Sequence, residues 1–288
     1  MDSIYPGLMI DGHVHVYRQF NHEHVFEAAA RNFRREARLA GCDNGFLGVL
    51  MLTESAGYDW FSSLRSGDAS FPLSGWRMTE TSGSVPGILA TATDRSDLLI
   101  VPGRQVITSE RIEVLLLGTT QIVEDGLALD SVLARADDID AVPVLPWAVG
   151  KWLGRRGSLV NLRIRETSPD QGLLLGDNSG RPTLWPRPRQ LRLADRLGIH
   201  VLPGSDPLPL AGEEQRVGAF GAAVDAPVSL TDPIAELKTH LRNPATRLTS
   251  FGRLESNLRF LRNQIRLRRS RTSDNGGGKL AAKPPGHP

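Results

Sequence analysis

Two histidines two positions apart, His13 and His15, are the residues in this 288-residue chain best placed to do chemistry; they lie in Ile10-Asp11-Gly12-His13-Val14-His15-Val16-Tyr17. The apolar lead-in reads as a strand, and strand side chains at i and i+2 share a face. Both imidazoles then point the same way past the strand's C-terminal end. Neutral imidazoles side by side are a ready pair of ligands for zinc, manganese or iron. The bland alternative is a pair of ordinary edge histidines. Enzymes built on barrels of parallel strands gather their chemistry at the C-terminal strand ends. The polar residues at the other predicted strand ends are Glu54, Gln105, Lys151, Asp177, Asn178 and Asp206.

The segment Asp11-Gly12-His13-Val14-His15 resembles the opening motif of two metal-dependent hydrolase groups, the PHP (polymerase and histidinol phosphatase) family and the amidohydrolase superfamily. The resemblance implies a barrel with helices outside and the two histidines as metal ligands. Gly204-Ser205-Asp206, about 190 residues later, resembles the closing motif of both groups, in which an aspartate binds metal and takes a proton from the metal-bound water. The departures are as informative. Where the PHP pattern has a bridging glutamate this chain has Gln105, a neutral amide that cannot bridge two cations. Arg111, Trp147 and Leu208 stand where further ligand histidines are expected. A trinuclear site cannot be assembled from these residues.

The remaining donors are His13, His15 and Asp206, joined by Glu54 or Asp177. Two histidines and a carboxylate suffice for one divalent ion (Zn, Mn or Fe) with open positions. The chain therefore reads as a one-metal hydrolase acting on a phosphoester, amide or lactone, with Asp206 and Glu54 as catalytic carboxylates and Asp177 as a further ligand. Gln105, Arg104, Arg111, Lys151, Asn178 and Arg181 are the candidate substrate contacts. The arginines suit an anionic small molecule, since a guanidinium meets carboxylate or phosphate in a bidentate fork. Lys151 invites comparison with the carbamylated lysine of some amidohydrolases; pairing with a nearby acid is its plainer role. The alternative to an enzyme is a catalytically inactive PHP-like barrel that binds an anionic small molecule or a protein at the same rim.

Strand-like runs near 8–14, 46–52, 98–104, 112–118, 141–147, 172–176 and 199–203 must position these groups. Helical patterns occupy 25–39, 57–66, 127–135, 188–197, 232–242 and 251–269, with Asn21 a plausible N-cap and Gly41 a plausible stop for the first. His22 and His24, at its start, read as solvated rim residues. A short antiparallel excursion is expected across 76–94, and a hairpin or broken strand across 98–118. Alternating strands and helices predict an α/β fold with a mainly parallel sheet. Seven strands suit the distorted (β/α)7 barrel of the PHP resemblance, with a TIM-like (β/α)8 barrel as the alternative. One domain is expected over 1–270 and a disordered tail over 271–288.

The net charge of +2 conceals an asymmetry: residues 253–271 carry +6 and 272–288 carry +1, leaving −5 for residues 1–252. An acidic main domain argues against specific nucleic-acid binding. No apolar run is long enough to span a bilayer, no secretory signal is read at the N-terminus, and a single cysteine, Cys42, forms no intrachain disulfide. A cytoplasmic location is expected. Leu254, Leu258, Leu261 and Ile265 form an apolar stripe at helical spacing. That stripe is expected to dock on the barrel with the arginines in water; the sharper alternative is attachment of 253–271 to an anionic surface.

Overall fold

The computed structural model describes residues 4–277 except 42–44, 68–72, 74 and 94–95, and only the backbone of 270–277. Cys42 and residues 278–288 lie outside the described residues. In chain order the elements are β1 (Ile4–Tyr5), β2 (Leu8–Val14), α1 (His22–Ala40), β3 (Leu47–Leu52), α2 (Trp60–Arg65), β4 (Arg77–Glu80), β5 (Ile88–Thr91), β6 (Leu98–Val101), β7 (Gly103–Ile107) and β8 (Glu113–Leu117). They continue as α3 (Leu129–Asp138), β9 (Val142–Pro146), α4 (Gly154–Glu166), β10 (Leu174–Asn178), α5 (Arg189–Leu197), β11 (Val201–Gly204), β12 (Phe220–Val224), β13 (Val228–Ser229), α6 (Pro233–Arg242), β14 (Leu248–Gly252) and α7 (Asn257–Gly277).

The expected α/β class holds, but the sheets are mixed rather than mainly parallel. The two larger ones have the orders β14-β12-β2-β3-β6-β5-β4 and β11-β10-β9-β8-β7, and β1 pairs with β13 in a third. Parallel ladders run through β2-β3-β6 and β9-β10-β11, and an isolated parallel bridge pairs Glu54 with Arg104. The run 98–104 is a broken strand: Pro102, with no N–H to give a ladder, separates β6 from β7. β7 then turns back on β8 as an antiparallel hairpin.

The two sheets meet along both flanks of the same apolar interior. On one flank Glu54 N–H donates to Gly103 O at 3.1 Å and Gln105 N–H to Glu54 O at 2.9 Å. On the other, Asp206 N–H donates to His13 O at 2.9 Å, and Ser205 N–H to Asp11 Oδ1 at 2.7 Å. Between the sheets lie Ile10, Val49, Met51 and Val101 from one and Leu115, Val142, Val144 and Leu174 from the other. Helices cover the outer faces: α1 packs Phe26 and Phe33 into one outer core, and α3, α4 and α5 pack Val132, Val160 and Leu191 into another.

Local signals work at helix ends. Asn21 caps α1 through His24 N–H, and Gly41 ends it at φ +71°. Asp59 caps α2 and Asp232 caps α6. Four expectations fail. α4 lies in a stretch left without an element, because arginines and glycines thin its apolar face to Gly157, Val160 and Ile164. β12 and β14 follow the strand expected to be the last, and Phe251 belongs to β14, not to the final helix. That helix starts later than expected, at Asn257, and runs to Gly277. His22 is buried against Trp60, with ring centroids 5.5 Å apart, whereas His24 is exposed.

Candidate metal centre

β2 carries His13 one residue from its end, and His15 follows just beyond it. The two Nε2 atoms are 3.1 Å apart. Asp206, in the turn after β11, places Oδ1 3.6 Å from His13 Nε2 and 3.8 Å from His15 Nε2. Two ligands of one tetrahedral ion at metal–ligand lengths near 2.1 Å stand about 3.4 Å apart, so these three donors bracket the spacing required. All three lie within 4.8 Å of one another, and among the described residues they form the cluster able to hold a metal ion.

Several features of the chain bring β11 and β2 this close. A Cβ on Gly204 would lie 2.3 Å from His13 N, and one on Gly12 would strike the Leu202 side chain at 2.4 Å. Asp206 takes φ +45°, a left-handed conformation uncommon for a residue other than glycine. Asp11, wholly buried, accepts from Ser205 N–H and, at 2.8 Å, from Gly218 N–H; it ties β2 to the turn that carries Asp206. Burial pushes the Asp11 carboxyl up to about 6, against those hydrogen bonds. Asn178 donates to Asp206 Oδ2 at 2.9 Å and to Trp147 O at 2.7 Å, so Oδ1 is left toward the imidazoles. Burial, then the neighbouring His13, lowers His15 to about 4. His15 is therefore a neutral imidazole at pH 7, the form that ligates.

The cluster opens into a cleft of about 620 Å³, whose lining includes polar Tyr17, Gln19, Gln105, Glu113 and Lys151 and apolar Trp147, Leu208, Pro209 and Leu267. Lys151 forms an ion pair with Glu113, the plainer of the two roles expected for it. Gln105 reaches the side chain of His15. Burial, then Asp206 and Glu113, raises the Tyr17 phenol.

Strand alternation turns other candidates away. Asn178 faces Asp206, so its neighbour Asp177 faces elsewhere and is gripped by Arg181, whose Nε donates to Oδ1 at 3.0 Å and Nη2 to Oδ2 at 2.7 Å. Asp177 is thus outside the metal cluster, and Arg181 is a buried partner of that acid rather than a group facing the cleft. Gln105 points into the cleft, so Arg104 points out of it, donating to Tyr58 O and standing 3.6 Å from Asp59. Arg111 is exposed at the β7–β8 turn, at φ +61°, and is not among the cleft-lining residues. Glu54 is buried at the β3–β7 junction, accepting from Phe61 N–H at 2.8 Å. Sequence reasoning missed Tyr17, Gln19, Glu113 and Leu267, which carry no motif; Asp11, inside the quoted motif, was assigned no role.

No family model matches the chain, and no curated protein matches it. Among solved structures, the lesion-specific endonuclease PfuEndoQ from Pyrococcus furiosus is similar at TM-score 0.43 and 11% identity, covering 85% of this chain and 58% of its own. PsfC from Pseudomonas syringae PB-5123 is similar at TM-score 0.54 and 16% identity, covering 92% of this chain and 98% of PsfC. The chain thus shares its overall fold with PsfC across nearly the full length of both.

Proposed function

We propose that this chain is a hydrolase holding one divalent cation between His13, His15 and Asp206, on a distorted seven-stranded barrel formed by β2, β3, β6–β7, β8, β9, β10 and β11 within one domain. The carrying observation is the convergence of two buried imidazoles and a carboxylate, at ligand spacing, on the floor of a cleft. The residues fit a small transition-metal ion such as zinc, manganese or iron better than calcium, which wants six to eight oxygens. Held there, such an ion supplies Lewis-acid activation of water.

The chain's own groups divide the remaining work. Asp206 keeps Oδ1 toward the imidazoles because Asn178 holds Oδ2, and its carboxylate would accept the proton released from water. Gln105 is a neutral amide beside His15, suited to hydrogen-bond a substrate oxygen or nitrogen. Lys151 and Glu113 line the cleft, where Lys151 can exchange its partner for an anionic substrate group. Asn178 acts through Asp206, and Arg104, Arg111, Arg181, Asp177 and Glu54 are assigned no step. The cleft suits a small phosphoester, amide or lactone. The second reading, a metal-poor barrel that only binds, rests on Gln105 and Trp147 standing where the resembled family places ligands.

The test is elemental analysis of purified protein, then a panel of phosphoester, amide and lactone substrates with and without added Zn²⁺, Mn²⁺ or Fe²⁺. One equivalent of metal, lost in His13→Ala/His15→Ala together with turnover, is the expected result. Absence of metal in the wild type even after loading would sink the enzyme reading.

A further inference from the structure

The final helix docks the wrong way round for a helix that belongs to a core. Three of its apolar residues face water: Leu258 is 83% exposed, Leu261 59% and Ile265 44%. Three of its polar residues bond to the body instead. Arg259 donates to Glu213 Oε1 at 2.9 Å and Asn263 to Glu255 Oε1 at 2.9 Å, while Arg266 reaches Ala211 O. At about 100° per residue, Leu258, Leu261 and Ile265 fall on one outward line. Exposed Arg262 and Arg269 lie on one side of it and exposed Arg268 on the other. Leu184, 83% exposed, adjoins the helix start, its N–H donating to Asn257 Oδ1 at 3.2 Å.

We propose that α7 is a peripheral attachment element that lays this arginine-flanked apolar line on an anionic lipid surface. An apolar stripe bordered by arginines is the arrangement of helices that lie in the plane of a bilayer interface, with the guanidinium groups reaching the headgroups while their stems stay in apolar surroundings. The charge supports lipid over a second copy of this chain. Residues 253–271 carry +6, so two such helices face to face repel, and four exposed side chains fall well short of the roughly 1,200 Å² a stable protein interface buries. The inward face carries Leu267, one of the residues lining the metal cleft.

The test is co-sedimentation of the full-length protein with vesicles of phosphatidylglycerol and phosphatidylcholine in equal parts, against pure phosphatidylcholine, at low and high salt. We expect pelleting with the anionic vesicles at low salt only. Arg262→Ala/Arg268→Ala/Arg269→Ala should weaken it roughly a hundredfold, at about fivefold per arginine. Leu258→Glu/Leu261→Glu/Ile265→Glu should abolish it with an unchanged melting curve, since all three positions are already in water. Full-length protein that stays in the supernatant overturns the proposal. So does loss in the arginine variant with none in the leucine variant, which would mark a polyanion-binding face. A wild-type dimer dissociated by the leucine variant, without vesicle binding, assigns the stripe to a second copy and overturns it too.

Discussion

A single hydrogen bond decides how Asp206 presents itself. Asn178 Nδ2 donates to Oδ2 at 2.9 Å. Asn178→Ala is therefore expected to leave the fold intact and to weaken zinc binding about 10–100-fold, the usual effect of removing a ligand's orienting partner; calorimetric titration giving wild-type affinity would refute the assignment. Glu54 offers a separate test through pH. Burial, opposed by the Phe61 N–H bond, pushes its carboxyl up to about 7 from an ordinary 4.5. The folded state thus holds this proton more tightly than the unfolded chain. The associated stability is complete below about pH 4.5 and is lost as pH rises through 7. Glu54→Gln keeps an acceptor for Phe61 and has no charge to desolvate. It should match the wild type near pH 4.5 and exceed it at pH 8, by on the order of 3 kcal/mol. Equal denaturation midpoints at pH 8 would show that the carboxylate is not desolvated there.

At the scale of elements, the centre exists because β11 crosses against β2 at Gly12 and Gly204. Gly204→Ala puts a methyl where the His13 backbone nitrogen already stands, so a strand must move. Chemical denaturation should show a loss of about 1–3 kcal/mol, the usual cost of overpacking, and metal affinity should fall with it because Asp206 is drawn from the imidazoles. A variant as stable as the wild type would mean that the strands have slack. A second junction joins α7 to the body. Arg216, buried, donates to Glu213 Oε2 at 3.2 Å, Glu255 Oε1 at 3.0 Å and Ser179 Oγ at 2.5 Å. Burial raises Glu255, with Arg216 opposing. Arg216→Met removes the shared cation from two buried carboxylates and should cost about 3–5 kcal/mol in urea unfolding; a loss below 1 kcal/mol would show that Arg259 alone balances them.

For the whole molecule, metal binding and stability are one measurement. An ion that binds the folded chain and not the unfolded one stabilises it by about 2.7 kcal/mol at a hundred times its dissociation constant. At roughly 2–4 °C per kcal/mol for a chain of this size, the melting temperature should rise by about 5–10 °C with zinc and fall back with chelator. His13→Ala/His15→Ala should show no shift. An equal shift in that variant would place the ion elsewhere. No helix among the described residues is long and apolar enough to cross a membrane, so any attachment through α7 is peripheral.

What the sequence determined by itself is local. His13 and His15 share a face because the strand period is two, and Asn21, Gly41, Asp232 and Gly198 mark helix ends through their own backbone and side-chain chemistry. The runs at β3 and β9 are buried on both faces and read as unbroken apolar stretches for that reason. Tertiary structure decided the rest. Asp177 and Asn178 are adjacent and similar in type, yet one meets Arg181 and the other Asp206. That outcome depends on the register of β10 against β11, which the composition of neither strand states. Glu113 and Lys151 meet only because β8 lies beside β9. The stripe at Leu258, Leu261 and Ile265 is plain in the sequence, but its direction is not. Docking followed the buried carboxylates of Glu213 and Glu255, since leaving two such charges without Arg216, Arg259 and Asn263 costs more than leaving three aliphatic side chains in water.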